Sequence, residues 1–349
     1  MTVLIPGDLE TRTGGYGYDR RIIAGLRALG WRVDVVPLAD GFPFPTAAAR
    51  ADAARALAAI PDGRTVLVDG LALGVLPEIA SELADRNPLL ALVHHPLALE
   101  SGLTAERAER LRRSERAALA SVRGVIVTSA ATAHLVVSDY GVPAERVSVA
   151  TPGSDRIPPA QTGSDHRGDG PIKLLSVGAV VPRKGFDVLI AALATLTELP
   201  WRLTIAGDLT RDRDTAMRLE ADIARHGLQD RISTLGAVSP ECLAALYIDA
   251  DAFVLASYFE GYGMAYAEAL AHGLPVIGSH AGAIPDTVPP DAGLLVPPGD
   301  VTAFAQALRS VIADPELRQH LAHGARAAAL RLPSWRQSAE IFSSALERL

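Results

Sequence analysis

The chain has 349 residues, 49% of them hydrophobic and 21% charged, with a net charge of −7 at neutral pH. That length exceeds one ordinary core and suits two domains of roughly 150 residues each. The acidic balance argues against a nucleic-acid partner, which a basic face would serve, and no run approaches the ~20 apolar residues of a membrane span.

The N-terminus "MTVLIPGDLE" lacks a basic segment followed by an apolar run, so no secretory signal is expected. The one cysteine, Cys242 in "SPECLAALY", rules out an intrachain disulfide framework and fits a cytoplasmic protein. It is expected as a buried small hydrophobe at a helix start. Only Lys173 and Lys184 are lysine among 33 basic residues, which draws attention to both.

Along the chain, "TVLIP" reads as a strand, and "LETRTGGYGYD" as a glycine-rich turn into a helix near residues 18–29. "WRVDVVPL", an alanine-rich helix near 46–59 and "TVLVDG" follow. Next come "LLALV", an arginine-rich helix near 104–120, "GVIVTS", another helix and "RVSVA". Short buried strands alternating with helices predict right-handed βαβ units and a parallel sheet covered on both faces. The helix "TAERAERLRRSERAALA" is read as exposed and laced with ion pairs, with peripheral contact to anionic lipid as the alternative.

Residues 156–170, "RIPPAQTGSDHRGDG", break the rhythm with proline, glycine and polar residues and are read as a linker. The alternation restarts with "IKLLSVG", "WRLTIAG", "RISTLG", "AFVLAS", "PVIGS" and "AGLLVPPG", and the chain ends in two or three helices. The expected organisation is α/β: two doubly wound, Rossmann-like domains facing a central cleft, where strand C-termini place ligands.

Three local patterns could carry chemistry. In "SYFEGYGMAYAEALAHGLPVI" a strand ends in a loop holding Glu260, a helix from Met264 to about Ala271 holds Glu268, and Gly273 and Pro275 close it. Gly261 and Gly263 would let backbone approach a ligand, and the helix N-terminus suits a phosphate. In "LLSVGAVVPRKGFDVLI" Arg183 and Lys184 follow a strand and a turn containing Gly178, an arrangement that suits a leaving pyrophosphate. In "LLALVHHPLALES" His94 and His95 follow a strand. Adjacent side chains on an extended chain point opposite ways, so a metal pair is disfavoured. No third ligand cluster is evident, and no metal is expected. "DRD" at 212–214 is read as helix-start charge rather than a metal motif. The "TRTGGYGYD" turn is not G-x-G-x-x-G, so a dinucleotide fingerprint is absent.

The first of these patterns resembles the Glu-x7-Glu motif of the retaining glycosyltransferases of family 4, which have the GT-B fold. The match is nearly position for position, with Tyr262 for the usual phenylalanine and Asp286 for a downstream glutamate. "RISTLGAVSPECLAALYIDADAFVLAS" is similar to the family's base-contacting segment. "LLSVGAVVPRKGFDVLI" resembles its phosphate loop, except that Ala179 stands where an arginine is usual and Arg183 would have to supply that charge. "VATPGSD" resembles the interdomain segment through Gly153 and Asp155.

The resemblance implies a retaining, metal-independent hexosyltransferase that needs no cofactor. It would move a sugar from a nucleotide diphosphate sugar, with UDP or GDP as the leading carriers, to a hydroxyl of a small metabolite, natural product or lipid headgroup. By this likeness Glu260, His94, Arg183 and Lys184 act in catalysis. Gly14, Gly15, Gly178, Val238, Gly263, Met264, Ala265 and Glu268 bind the donor, with Glu268 on the ribose, and His95, Glu100 and Tyr16 lie on the acceptor side. The domains would be 1–155, with a C-terminal helix at about 335–349 returning to it, and 171–334. A nonhydrolysing sugar-nucleotide epimerase and a non-catalytic two-domain binding protein are the alternatives, the latter disfavoured by the lack of an export signal.

Overall fold

The computed structural model describes residues 1–100, 102–155, 157 and 170–348. Nearly all of the segment 156–170, read above as a linker, lies outside the described residues. The chain divides into two compact units, Met1–Gly153 with Pro333–Leu349, and Ser154–Leu332.

Strands of the first unit are β1 (Thr2–Pro6), β2 (Asp34–Leu38), β3 (Val66–Asp69), β4 (Leu89–Val93), β5 (Gly124–Val127) and β6 (Val147–Val149). They form one parallel sheet in the order β2-β1-β3-β4-β5-β6. The helices here are α1 (Gly14–Ala28), α2 (Ala47–Ala58), α3 (Gly70–Leu73), α4 (Pro77–Ala84), α5 (Ala105–Ser121) and α6 (Ala130–Ser138). Strands β1, β3, β4 and β5 are buried at every position, the continuous apolar pattern of a sheet covered on both faces.

The second unit repeats the plan with β7 (Ile172–Val177), β8 (Trp201–Ala206), β9 (Ile232–Thr234), β10 (Ala252–Leu255), β11 (Val276–Ser279) and β12 (Gly293–Val296). The order is β12-β11-β10-β7-β8-β9, again all parallel. Its helices are α7 (Phe186–Ala194), α8 (Arg213–Arg225), α9 (Pro240–Asp249), α10 (Met264–Ala271), α11 (Ile284–Thr287), α12 (Val301–Ala313) and α13 (Pro315–Ala329). Trp201, Tyr247, Phe253, Tyr266 and Phe304 are the largest fully buried side chains of its core.

The last helix, α14 (Trp335–Arg348), packs on α1 in the first unit. Gly25 permits the contact, since a Cβ there would overlap that of Ala339. Ser338 Oγ donates to the Thr151 carbonyl at 2.7 Å, and Trp31 Nε1 donates to Ser343 Oγ at 2.8 Å.

Local chemistry departs from the sequence reading in three places. Helix α1 starts at Gly14, not near residue 18, because Thr13 caps it: its Oγ1 accepts from Tyr16 N at 3.2 Å. Cys242 is exposed rather than buried, since α9 buries only Tyr247 and turns its capped first turn outward. Helix α5 is not wholly a solvated charged face, because Glu115 is buried and its Oε2 accepts from Leu97 N at 2.9 Å. Asp212, by contrast, caps α8 by accepting from Thr215 N at 2.9 Å, in line with a helix-start role.

Candidate functional site

Each sheet reverses its strand order at one point, between β1 and β3 in the first unit and between β7 and β10 in the second. Loops leaving a doubly wound sheet there diverge to opposite faces and open a crevice at the strand C-termini. The polar clusters of both units lie at these points.

In the second unit, the loop after β7 carries Pro182–Lys184 in a single 3-10 turn, and the loop after β10 carries Ser257–Gly263. Backbone zips the two together, with Tyr258 N donating to the Arg183 carbonyl at 2.8 Å. Glu260 is 6% exposed. Its Oε1 accepts from Lys184 Nζ at 2.6 Å and Ser257 Oγ at 2.8 Å, and its Oε2 accepts from an Arg183 guanidinium nitrogen at 3.1 Å. Burial alone would raise this carboxyl, but the Lys184 and Arg183 charges override it and hold the pKa down at about 2.

Glycines shape this loop pair. Gly178 lies under the Lys184 stem, where a Cβ would meet Lys184 Cε at 3.1 Å. Gly185 has φ +65°, and a Cβ there would overlap the Ala256 carbonyl oxygen. Gly185→Ala is therefore expected to destabilise the second unit by about 2–4 kcal/mol through strain and overlap, measured by chemical denaturation.

Gly263, at φ +89°, turns the chain into α10. Among the described residues no side chain caps that helix start, so its first N–H groups, on Met264 and Ala265, are not taken up by a capping oxygen from them. Glu268 lies in the second turn of α10, and its Oε2 accepts from Tyr247 OH at 3.0 Å. Val238, half-buried, lies in the turn between β9 and α9.

In the first unit, His94 follows β4 and meets two carboxylates that sequence reading did not single out. Asp19 on α1 places Oδ1 3.1 Å from His94 Nε2, and Asp69 at the end of β3 places Oδ2 3.7 Å away. Asp19 and Asp69 are 2% and 3% exposed. Asp69 also accepts from Leu71 N at 2.7 Å and so caps α3. Burial alone would lower the His94 pKa; the Asp19 charge and hydrogen bond, with Asp69 behind them, reverse this and lift it to about 9. Burial raises the Asp69 carboxyl, opposed by His94. One ligand atom from each of the three lies within 4.8 Å of the others, the one such grouping able to span a metal ion among the described residues.

Of the remaining first-unit candidates, Gly15 touches this cluster: it abuts the imidazole, where a Cβ would lie 3.8 Å from the His94 ring. Gly14 begins α1, and Tyr16 OH donates to the Pro6 carbonyl at 2.5 Å. The Tyr18 ring meets His94 edge-on at 5.5 Å between centroids. His95 and Glu100 approach each other, with Nε2 to Oε2 at 3.4 Å.

A signal for the missed acids was present. Asp69 ends the apolar run "TVLVD", and Asp19 stands on the face of α1 that carries Tyr18, Ile22 and Ile23. An acid at a core-facing position needs a partner. The partner was not legible because it follows a different strand, well separated along the chain from both acids.

Residues 162–328 match the family "Glycosyl transferases group 1". The chain is 28% identical over 330 residues to an MMP alpha-(1->4)-mannosyltransferase of Mycolicibacterium hassiacum, covering 88% of this chain and 77% of that protein. It is 33% identical over 253 residues to a D-inositol 3-phosphate glycosyltransferase of Xylanimonas cellulosilytica, covering 67% of this chain but only 60% of that one. Among solved structures, sucrose-phosphate synthase of Thermosynechococcus elongatus superposes with a TM-score of 0.81 at 24% identity, over 98% of this chain and 97% of the other. Anabaena HepE, in complex with UDP and glucose, gives 0.78 at 22% identity over the whole of both chains.

Proposed function

We infer that this chain, related to glycosyltransferases and built on the GT-B fold, transfers a hexose from a nucleotide diphosphate sugar to a hydroxyl acceptor with retention of anomeric configuration. The observation that carries the reading is the Glu260–Lys184–Arg183 cluster at the β7/β10 reversal, next to the uncapped start of α10. The Glu-x7-Glu spacing of Glu260 and Glu268 supports it, as does the family match across this unit.

The donor's diphosphate is assigned to the N–H groups of Gly263, Met264 and Ala265, where the helix field favours anions. Glu268 holds the ribose hydroxyls. Three donors already reach Glu260, and a carboxylate offers about four lone-pair directions. One remains for a sugar hydroxyl. Lys184 and Arg183 are held as cations beside the departing phosphate, where preorganised charge counts most. Arg183 thus supplies the charge that Ala179 does not.

The step is a front-face displacement. The bond from the anomeric carbon to the phosphate oxygen breaks, and the acceptor oxygen bonds to the same face of that carbon. The acceptor's proton passes to the departing phosphate. His94 serves as a sugar-contacting donor, with His95, Glu100 and Tyr16 on the acceptor side. No metal is assigned a step. A cytoplasmic site of action belongs to the same proposal; among the described residues no helix is long and apolar enough to cross a membrane.

UDP, GDP, ADP and TDP tested by thermal shift provide the direct check. One of them is expected to stabilise the protein by about 2.7 kcal/mol when present at a hundred times its dissociation constant. NMR of the product made with that sugar donor should show the donor's own anomeric configuration. Inversion would refute the mechanism, and indifference to all four nucleotides would refute donor binding.

A further inference from the structure

Tyr247 is buried, 1% exposed, yet its hydroxyl reaches the Glu268 carboxylate of the second unit. The ring is stacked against His272, with centroids 4.7 Å apart and planes 13° apart, and lies against Phe253 at 6.3 Å and 26°. His272 is itself fixed, since its Nδ1 lies 2.8 Å from the Glu268 carbonyl of α10. A tyrosine held by two rings has little rotational freedom, so its hydroxyl is aimed rather than free to search.

That hydroxyl contacts Glu268 Oε2 at 3.0 Å and the Ala265 carbonyl at 3.4 Å. Both acceptors lie on α10, one turn apart. Burial, and then the Glu268 charge, push the Tyr247 pKa well above its usual value, so the phenol remains the donor and the carboxylate the acceptor. Glutamate has three side-chain torsions, and its rotamer entropy must be lost before it can grip a ligand. A hydrogen bond from a rigid partner removes much of that cost in advance.

We propose that Tyr247 is a positioning residue for nucleotide recognition, fixing Glu268 in the rotamer that grips the two ribose hydroxyls and so selecting a ribonucleotide over a deoxyribonucleotide donor. This rests on the assignment of Glu268 to the ribose. His272 acts behind it by holding the Tyr247 ring. The specificity follows from chemistry: a carboxylate fixed to meet a hydroxyl is left with an unpaired lone pair when that hydroxyl is missing, whereas a mobile carboxylate can turn to water.

The test is calorimetric titration of the full chain with UDP and 2′-deoxy-UDP, and with GDP and 2′-deoxy-GDP, in wild type, Tyr247→Phe, Glu268→Gln and the double variant. Phenylalanine keeps the ring stack, and an unchanged thermal midpoint before ligand is added confirms an intact fold. The wild type is expected to prefer the ribose form of its nucleotide by about tenfold, the effect of one charge-assisted hydrogen bond. Tyr247→Phe is expected to cut that preference to threefold or less, chiefly by weakening the ribose form, and Tyr247→Phe/Glu268→Gln to lose no more than Glu268→Gln alone. If Glu268→Gln abolishes the preference and Tyr247→Phe leaves it at the wild-type ratio, the positioning role is overturned while the ribose assignment stands. If wild type shows no preference, or Glu268→Gln keeps it, the ribose assignment falls and takes this inference with it.

Discussion

Replacing Glu260 by alanine is expected to destabilise the second unit by about 3–5 kcal/mol, the usual cost of leaving buried charge unpaired, and to lower transfer by at least about a hundredfold. The side chain of Glu260 is 8% exposed, and those of Lys184 and Arg183 are 14% and 15% exposed. These are not surface ion pairs whose worth solvent erases. Removing the carboxylate leaves two cations facing each other across a space with little water, and the Ser257 hydroxyl loses its acceptor. Lys184→Ala in the Glu260→Ala background should recover part of the lost stability but none of the activity, because it removes repulsion without restoring the site. Denaturant titration of the two single variants and the double variant measures that coupling. Additive losses would show that the contacts carry no shared energy.

The same cluster fixes an acid limb. A carboxyl held at about 2, against 4.5 ordinarily, contributes stability that is fully present above the unfolded value and is lost as pH falls through the folded one. The two values differ by a factor worth about 3 kcal/mol. Wild type should therefore weaken between about pH 4.5 and pH 2, and Glu260→Gln should show a shallower loss over that range.

The fold class was legible because strands such as β4, "LLALV", and β10, "AFVL", are short, wholly apolar and punctuated by turns, which leaves few topologies open. The order reversals at β1/β3 and β7/β10 were not legible, since pairing between strands far apart in sequence has no local signature. Within the second unit, Glu260, Lys184 and Arg183 were each marked by a strand-end loop, yet their union in one ion cluster depends on β7 and β10 being neighbours. Tyr247 was hidden for the opposite reason. A tyrosine on an apolar helix face reads as core, and here it is core by burial while its hydroxyl donates to Glu268. Cys242 departs from expectation because an apolar residue at a helix start need not face inward: a short capped helix can face outward over most of its length.

Replacing Asp19 by asparagine is expected to remove an alkaline limb that the wild type possesses. His94 is raised from 6.5 to about 9, so its contribution to stability is complete below pH 6.5 and is lost as pH rises through 9. Asp69 acts in the same direction, because a buried carboxyl with a raised pKa favours the fold while protonated and opposes it once ionised. For His94 the difference is worth about 3 kcal/mol at most. The amide of Asp19→Asn would still accept a hydrogen bond from Nε2 but would bring no charge, and burial would then pull the imidazole toward neutrality. The His94 ring signal, followed by NMR from pH 5 to pH 10, should titrate well below its wild-type value in Asp19→Asn. The chemical role changes with it. As an imidazolium with Nε2 turned to Asp19, His94 can only donate, so transfer by the variant should fall as pH rises from about 6 to 8, a range over which wild type stays level. Wild-type titration of His94 near its ordinary 6.5 would show that the two acids do not hold the proton there, and the donor role would fail.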